Sequence, residues 1–246
     1  MLTAVAERAF PYPPAYRAET GWKPWLAVVA GALIFAAAAG LGYGALVLSD
    51  PSRITDQREL LWVELVVQVA IVALTVLAAG LFGSRRRDML ALKAPPRGWR
   101  DIAAGLAAIA AASGFYTLLT TFVFPGEVVR DLKPLWAIMQ SPWGWLLALI
   151  AIVGAPLSEE FLFRGFLQSA LSKSGLGFAR AAVLTTAAWT ALHASYSFVG
   201  LTEVFLVGLV FSWLLWHTGS LWVPILCHGL YNGAVIAFLA AFPVPA

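Results

Sequence analysis

Two adjacent carboxylates and an arginine interrupt a strongly apolar part of the sequence. Glu159, Glu160 and Arg164 lie within the apolar run 143–172. An ionised side chain at bilayer depth costs at least about 2.5 to 3.5 kcal/mol, so each of the three needs a partner, water or a function. On an α-helix, Glu160 and Arg164 are four residues apart and share a face, where they can form a buried ion pair. The sequence therefore predicts a functional site in this segment.

Glu159 differs from Glu160 in the direction of its side chain. It projects about 100° away from the face that Glu160 shares with Arg164. A carboxylate in an apolar environment without a cationic partner can accept a proton near neutral pH, as a general base must. We therefore predict that Glu159 is a catalytic base and that Glu160, paired with Arg164, anchors it.

Further polar residues fall in the apolar runs that follow. His193 and His228 lie well inside them, and Asn232 follows His228 at the i, i+4 spacing that places both side chains on one helical face. The rise of an α-helix, about 1.5 Å per residue, places Glu159 and His193 at the same depth in the membrane. His228 reaches that depth only if its helix begins deeper in the membrane. Packing would explain any one of these residues, but six polar groups in three apolar helices favour a common site.

The composition is that of an integral membrane protein. Of 246 residues, 61% are hydrophobic and 12% charged, and the mean hydropathy of +0.81 excludes an ordinary soluble domain. No run alternates with the period of a barrel strand, so the predicted fold is an all-α polytopic bundle. We predict about seven transmembrane helices, with six to eight compatible with the run lengths, at 24–48, 60–83, 102–124, 143–172, 178–194, 200–217 and 220–241.

The distribution of basic residues predicts the orientation. The connection between the second and third runs carries six Lys and Arg residues, which the positive-inside rule assigns to the cytoplasm. Alternating from there gives eleven basic residues inside and four outside, with a cytoplasmic N-terminus and no cleavable signal peptide. The basic loop is explained by topology and lipid headgroups, so we predict no nucleic-acid partner. The high alanine content favours a bacterial inner (plasma) membrane.

We divide the chain into three regions. Residues 1–23 form a cytoplasmic N-terminal segment, and residues 24–139 form accessory transmembrane helices 1–3 with the basic cytoplasmic loop 84–101. Residues 140–246 form the catalytic core, with transmembrane helices 4–7 and all six predicted site residues.

Three motifs in this core resemble the CPBP family of intramembrane proteases, also called the Abi or type II CAAX prenyl protease family. Glu159-Glu160-Phe-Leu-Phe-Arg164-Gly165 matches the family's Glu-Glu-x-x-x-Arg pattern. His193 matches a Phe-x-x-x-His motif in which Trp189 replaces phenylalanine, a change expected to leave the chemistry unaffected. His228 to Asn232 matches His-x-x-x-Asn. All three occur in the expected order.

The resemblance implies hydrolysis of a peptide bond inside the bundle. Glu159 would activate water, His193 would orient or share that proton, and His228 with Asn232 would stabilise the oxyanion in a polar cavity, expected to open to the cytoplasm. Family members are often named metalloproteases, so Glu159, His193 and His228 could instead bind Zn²⁺ or another divalent metal. His-Glu-x-x-His is absent, and a metal-bound Glu159 could not also be the free base. Metal-free catalysis by glutamate is therefore favoured.

Two alternatives belong to other functional classes. A proton- or cation-coupled transporter could use Glu159 and Glu160 as carriers, although no repeat symmetry is evident. The second alternative is a non-catalytic relative that acts as an immunity or scaffold protein, although every motif position is intact. For a protease, prenylated CAAX tails, bacteriocin-like leaders and other membrane-associated peptides all suit a site buried in lipid.

Overall fold

The computed structural model describes residues 14–83, 85–124 and 126–242. Within these ranges the chain forms nine helices and no strand, which confirms the predicted all-α fold. The expectation of an uncleaved N-terminus concerns mainly residues 1–13, which lie outside the described residues. In chain order the helices are α1 Pro24–Ser49, α2 Gln57–Ala79, α3 Arg86–Met89, α4 Trp99–Val123, α5 Glu127–Met139, α6 Gly144–Ser172, α7 Gly177–Ala191, α8 Phe198–Thr218 and α9 Trp222–Ala241.

Six of these helices, α1, α2, α4, α6, α8 and α9, are long and apolar enough to cross a membrane. The predicted span 178–194 corresponds to α7, which has only 15 residues. At about 1.5 Å per residue α7 is about 22 Å long, shorter than the roughly 30 Å hydrocarbon core. Six spans fall within the predicted range, and large apolar side chains such as Leu48 and Phe122 cover the outside of the bundle. The chain is a multi-pass membrane protein.

Helix α5 has no counterpart in the sequence prediction. It begins after Gly126, whose φ of 96° is a left-handed conformation that glycine adopts without strain. The segment carries Glu127, Arg130, Asp131 and Lys133, so its sequence resembles a polar loop. It is nevertheless amphipathic, because Val128, Leu132 and Leu135 line a cavity inside the bundle.

Two ends of the bundle can be distinguished by their contacts. At the first, which we call the basic end, the N-terminal segment contacts the connections between helices. Tyr16 N–H donates to the Trp216 carbonyl at 3.3 Å, and Lys173 Nζ donates to the Thr20 carbonyl. At the opposite end, Asp131 on α5 accepts hydrogen bonds from the backbone N–H (2.9 Å) and Oγ (2.6 Å) of Ser197, which caps α8. Helix α7 connects the two ends despite its length.

The turn between α8 and α9 is recessed below the basic end. Leu221 is buried and its N–H donates to the Ala91 carbonyl at 2.9 Å, while Ser220 Oγ donates to the Lys93 carbonyl at 2.6 Å. A Cβ on Gly219, whose φ is 65°, would lie only 2.7 Å from the Ala15 carbonyl oxygen. Because the loop and the N-terminal segment cover this turn, α9 begins inside the bundle. This is why His228 reaches the depth of Glu159 only seven residues after Leu221.

Candidate active site

Glu160 and Arg164 form the predicted ion pair at the centre of the bundle. Arg164 Nη1 donates to Glu160 Oε1 at 3.1 Å, and both side chains are 0% exposed. Two charges removed from water this completely stabilise each other only when close geometry and further hydrogen bonds offset their desolvation. The geometry is therefore that of a fixed internal anchor.

Arg164 has three further contacts that fix its guanidinium group. Its Nη2 donates to the Gly208 carbonyl on α8 at 3.1 Å. Its Cζ lies 4.4 Å from the ring centroid of Trp189 and 5.5 Å from that of Phe211, which are cation–π distances. Gly208 permits this approach, because a Cβ there would lie 2.7 Å from a Trp189 ring carbon and 2.8 Å from Arg164 Nη2.

Glu159 is the more accessible of the two carboxylates. Its side chain is 19% exposed and lines a cavity, whereas Glu160 does not reach that cavity. Glu159 Oε2 accepts a hydrogen bond from the indole N–H of Trp189 and lies 4.0 Å from His228 Nε2. A phenylalanine at position 189 has no N–H to donate. The expectation that Trp189 has no chemical consequence therefore does not fit this geometry, in which Trp189 positions Glu159.

His228 lies between the two carboxylates. Its Nδ1 is 3.1 Å from Glu160 Oε1, and its ring stacks on Phe211 at a centroid distance of 4.7 Å. A carboxylate can only accept, so Nδ1 carries the proton in this contact. The other nitrogen, Nε2, consequently points to Glu159 and the cavity. The fixed pair Glu160–Arg164 thus sets both the orientation and the tautomer of His228.

His193 and Asn232 lie on the wall of the same cavity but are held by backbone carbonyls. His193 lies two residues after the end of α7, and its Nδ1 is 3.2 Å from the Trp189 carbonyl oxygen. No described hydrogen bond joins His193 directly to Glu159, and Trp189 lies between them, with its ring centroid 5.1 Å from that of His193. The structure therefore places all six predicted residues around one centre, four in a contiguous set and two on its wall.

The backbone of α6 explains the position of Asn232. Residues Ile150–Gly154 and Glu160–Leu167 are π-helical, an irregularity frequent at functional sites. In the first segment the Ala155 N–H donates to the Ile150 carbonyl, so the next amide in this register would be that of Pro156, which has no N–H. The Ala151 carbonyl is thereby left for Asn232 Nδ2, which donates to it at 2.8 Å. The second Nδ2 hydrogen of Asn232 remains for another acceptor.

The cavity has a volume of about 330 Å³. The polar side chains that line it are Glu64, Gln68, Asp131, Glu159, His193, Tyr196, Glu203, His228, Tyr231 and Asn232. Glu64 and Gln68 belong to α2 and Asp131 to α5, so parts of the region predicted to be accessory form the cavity wall. These residues and Glu203 were not predicted to belong to the site, because each is an isolated polar residue outside the three motifs. For Glu64 and Glu203 the signal was an acidic residue within an apolar run.

The cavity occupies the half of the bundle away from the basic end. It is lined by α5, by the residues that follow α7, and by the parts of α2, α6 and α8 nearest to them. The basic loop was predicted to be cytoplasmic, and the cavity was predicted to open to the cytoplasm. These two expectations are incompatible, because the cavity and the basic loop lie towards opposite ends.

The predicted metal ligands Glu159, His193 and His228 line the same cavity. Across the described ranges, no three His, Cys, Asp or Glu side chains are close enough together to hold a metal ion. His228 Nδ1 contacts Glu160, and His193 Nδ1 contacts a carbonyl, so each histidine already uses one nitrogen. Each keeps Nε2, and a metal-bound histidine commonly donates its other nitrogen to a carboxylate or a carbonyl, so metal binding by Glu159, His193 and His228 stays a prediction.

Fold and site together define a class: a polytopic helical membrane protein with a carboxylate, two histidines and an asparagine around an internal cavity. The family model described as Type II CAAX prenyl endopeptidase Rce1-like matches residues 141–234. This stretch holds all six predicted site residues, and the match supports the family that the three motifs resemble, the CPBP (Abi) intramembrane proteases. No curated protein and no solved structure matches the chain significantly. The match supports a CAAX-type intramembrane protease at the level of the family.

Proposed function

We propose that the protein hydrolyses a peptide bond of a membrane-associated peptide, with Glu159 as the base that activates water. The observation that carries this proposal is the asymmetry of the two glutamates. Glu160 is fully buried and neutralised by Arg164, whereas Glu159 has no basic Lys or Arg partner among the described residues and faces the cavity. A general base needs a free oxygen within reach of water, and Glu159 meets this requirement.

The oxyanion of the tetrahedral intermediate would form near His228 and Asn232. Asn232 has one amide hydrogen left, and His228 directs Nε2 to the cavity. Since Nδ1 donates to Glu160, His228 would donate from Nε2 as an imidazolium. Removing one donor of this kind typically costs about 2.7 to 4 kcal/mol of transition-state stabilisation.

His193 would orient or share the proton that Glu159 takes from water. Its Nδ1 contact with the Trp189 carbonyl leaves Nε2 as an acceptor in the cavity, so a water molecule could connect it to Glu159. In this scheme no step uses a metal ion. Water gives a proton to Glu159 as its oxygen adds to the carbonyl carbon. The tetrahedral intermediate then collapses, the C–N bond breaks, and the proton held by Glu159 passes to the departing amine.

The transporter alternative gains no support from the geometry. A carrier must exchange its proton or cation with solvent, but Glu160 is 0% exposed and paired with Arg164. We further propose a cytoplasmic N-terminus in a bacterial inner membrane, from the eleven-to-four distribution of basic residues, which leaves the cavity in the outer half of the membrane. The substrates that fit are prenylated CAAX tails, bacteriocin-like leaders and comparable peptides.

The direct test measures cleavage of a panel of such peptides in proteoliposomes. Glu159→Ala and the size-matched Glu159→Gln should lower kcat/KM by about 10²- to 10⁴-fold, the usual contribution of a general base. Glu127→Gln, on the outer surface of α5, serves as the control and should leave the rate unchanged. The wild-type rate should survive a chelator of divalent metals. Equal cleavage by wild type and Glu159→Gln would refute the assignment of Glu159.

A further inference from the structure

The carboxylates in the six long helices fall into two groups. Glu59, Asp101 and Glu160 each have an arginine partner at hydrogen-bonding distance. Glu64, Glu159 and Glu203 have no Lys or Arg within 4.0 Å in the described part of the chain, and all three line the same cavity. The unpaired acidic groups of the membrane-spanning helices therefore face a single enclosed space.

No Lys or Arg side chain contributes to the described wall of this cavity. Its negative charge also affects Tyr196, which lies between α7 and α8. Burial raises the pKa of the Tyr196 hydroxyl, and the negative charges of Asp131, Glu159 and Glu203 raise it further. The field inside the cavity thus opposes an anion and favours a cation.

Glu203 is held in place by neutral groups only. Its Oε1 accepts hydrogen bonds from the hydroxyls of Ser113, Tyr231 (3.1 Å) and Thr117 (3.4 Å). Its other oxygen, Oε2, has no donor among the described residues. Three donors fix the side chain while leaving its charge uncompensated, which is the arrangement of a binding group rather than of an internal ion pair.

Glu64 shows the same excess of acceptors over donors. Its Oε1 accepts from Gln68 Nε2 at 3.3 Å. Gln68 also lines the cavity, is only 5% exposed, and its Oε1 has no hydrogen-bond partner. Like that of Glu203, the negative charge of Glu64 therefore has only neutral hydrogen-bond partners among the described residues.

The shape and chemistry of the cavity indicate which kind of ligand fits it. Its other walls are apolar and include Leu132, Leu135, Val204 and Ile236, which suit a hydrocarbon stem that ends in a charged group. A bare metal ion does not fit, because no three acidic, His or Cys side chains of the described residues are close enough to hold one. A long cationic side chain satisfies both the apolar and the acidic walls.

We propose that the cavity binds a lysine or arginine side chain of the substrate peptide close to the bond that is cleaved, with Glu203 and Glu64 as its specificity-determining residues. This inference rests on the proposed peptidase function. It makes the enzyme selective for a basic residue beside the scissile bond, since Glu159 lies in the same cavity.

The test uses paired peptides that carry lysine or glutamine at each position flanking the cleaved bond. At one position, wild type should cleave the lysine peptide with a kcat/KM about 10- to 100-fold higher, the factor expected for a charge-assisted hydrogen bond. Glu203→Gln and Glu64→Gln should each reduce this preference about tenfold, mainly through KM. Glu127→Gln is the matched control and should preserve it. No preference in wild type, or an unchanged preference in both cavity variants, would overturn the proposal.

A binding measurement separates this proposal from the peptidase function. Glu159→Gln, which should not turn over, is titrated with the same peptides, and the lysine peptide should bind about tenfold more tightly than the glutamine peptide. Adding Glu203→Gln should abolish the difference. Selective binding without cleavage by wild type would refute the hydrolysis and retain the charge selectivity. Cleavage without charge preference, or equal binding of the two peptides, would refute the selectivity alone.

Discussion

The buried pair Glu160–Arg164 allows a quantitative prediction about stability. Removing one partner of a buried ion pair typically costs about 3 to 5 kcal/mol, because the remaining charge is left without compensation. Arg164→Met would leave Glu160 with only His228 as a partner, since Glu160 Oε2 already has none. Glu160→Gln would leave the arginine with the Gly208 carbonyl and two aromatic faces. Each single variant should therefore lose about 3 to 5 kcal/mol of unfolding free energy.

The double variant Glu160→Gln/Arg164→Met is expected to lie close to either single variant. Once one charge is gone, loss of the other removes an uncompensated charge, so the coupling free energy should be about 3 kcal/mol. The measurement is denaturant-induced unfolding in detergent micelles for all four proteins. The control cycle uses Glu127 and Arg130, an exposed pair on α5 with an Oε2–Nη2 distance of 2.7 Å, whose coupling should be about 0 to 1 kcal/mol. Additive losses at Glu160 and Arg164 would refute the idea that they form one energetic unit.

Two further predictions concern packing. Gly208→Ala should destabilise the protein by about 1 to 3 kcal/mol and lower its activity, because the new Cβ would displace Arg164 Nη2 and the Trp189 ring. The control is Gly114→Ala on α4, which has open space around it and should melt at the wild-type temperature or above. Equal melting temperatures of the two variants would contradict the packing argument. Tyr16→Phe removes a buried hydroxyl that lies 2.6 Å from Ser169 Oγ. It should lower the free energy of unfolding by about 0.5 to 1.5 kcal/mol in the same detergent assay, and an unchanged stability would indicate that the N-terminal segment contributes nothing at this contact.

Much of the fold was predictable because membrane helices have a strong compositional signal. The lipid requires apolar side chains outside and satisfied backbone inside, so long apolar runs imply helices. Helix α5 was missed because its amphipathic sequence, with four charged residues in thirteen, lacks such a run. The length of α7 was overestimated because the apolar composition continues past Ala191, where the helix ends.

The sequence by itself determined the pairing of Glu160 with Arg164 and the distinct direction of Glu159, since spacing along one helix fixes which side chains can meet. Only the tertiary structure decided which distant residues surround them. It alone brings Trp189 N–H to Glu159, Asn232 to a carbonyl freed by Pro156, and Glu64 and Glu203 to one cavity. These relations depend on the depth and rotation of separate helices, which are set by close contacts such as those at Gly208 and Gly219 rather than by any local pattern.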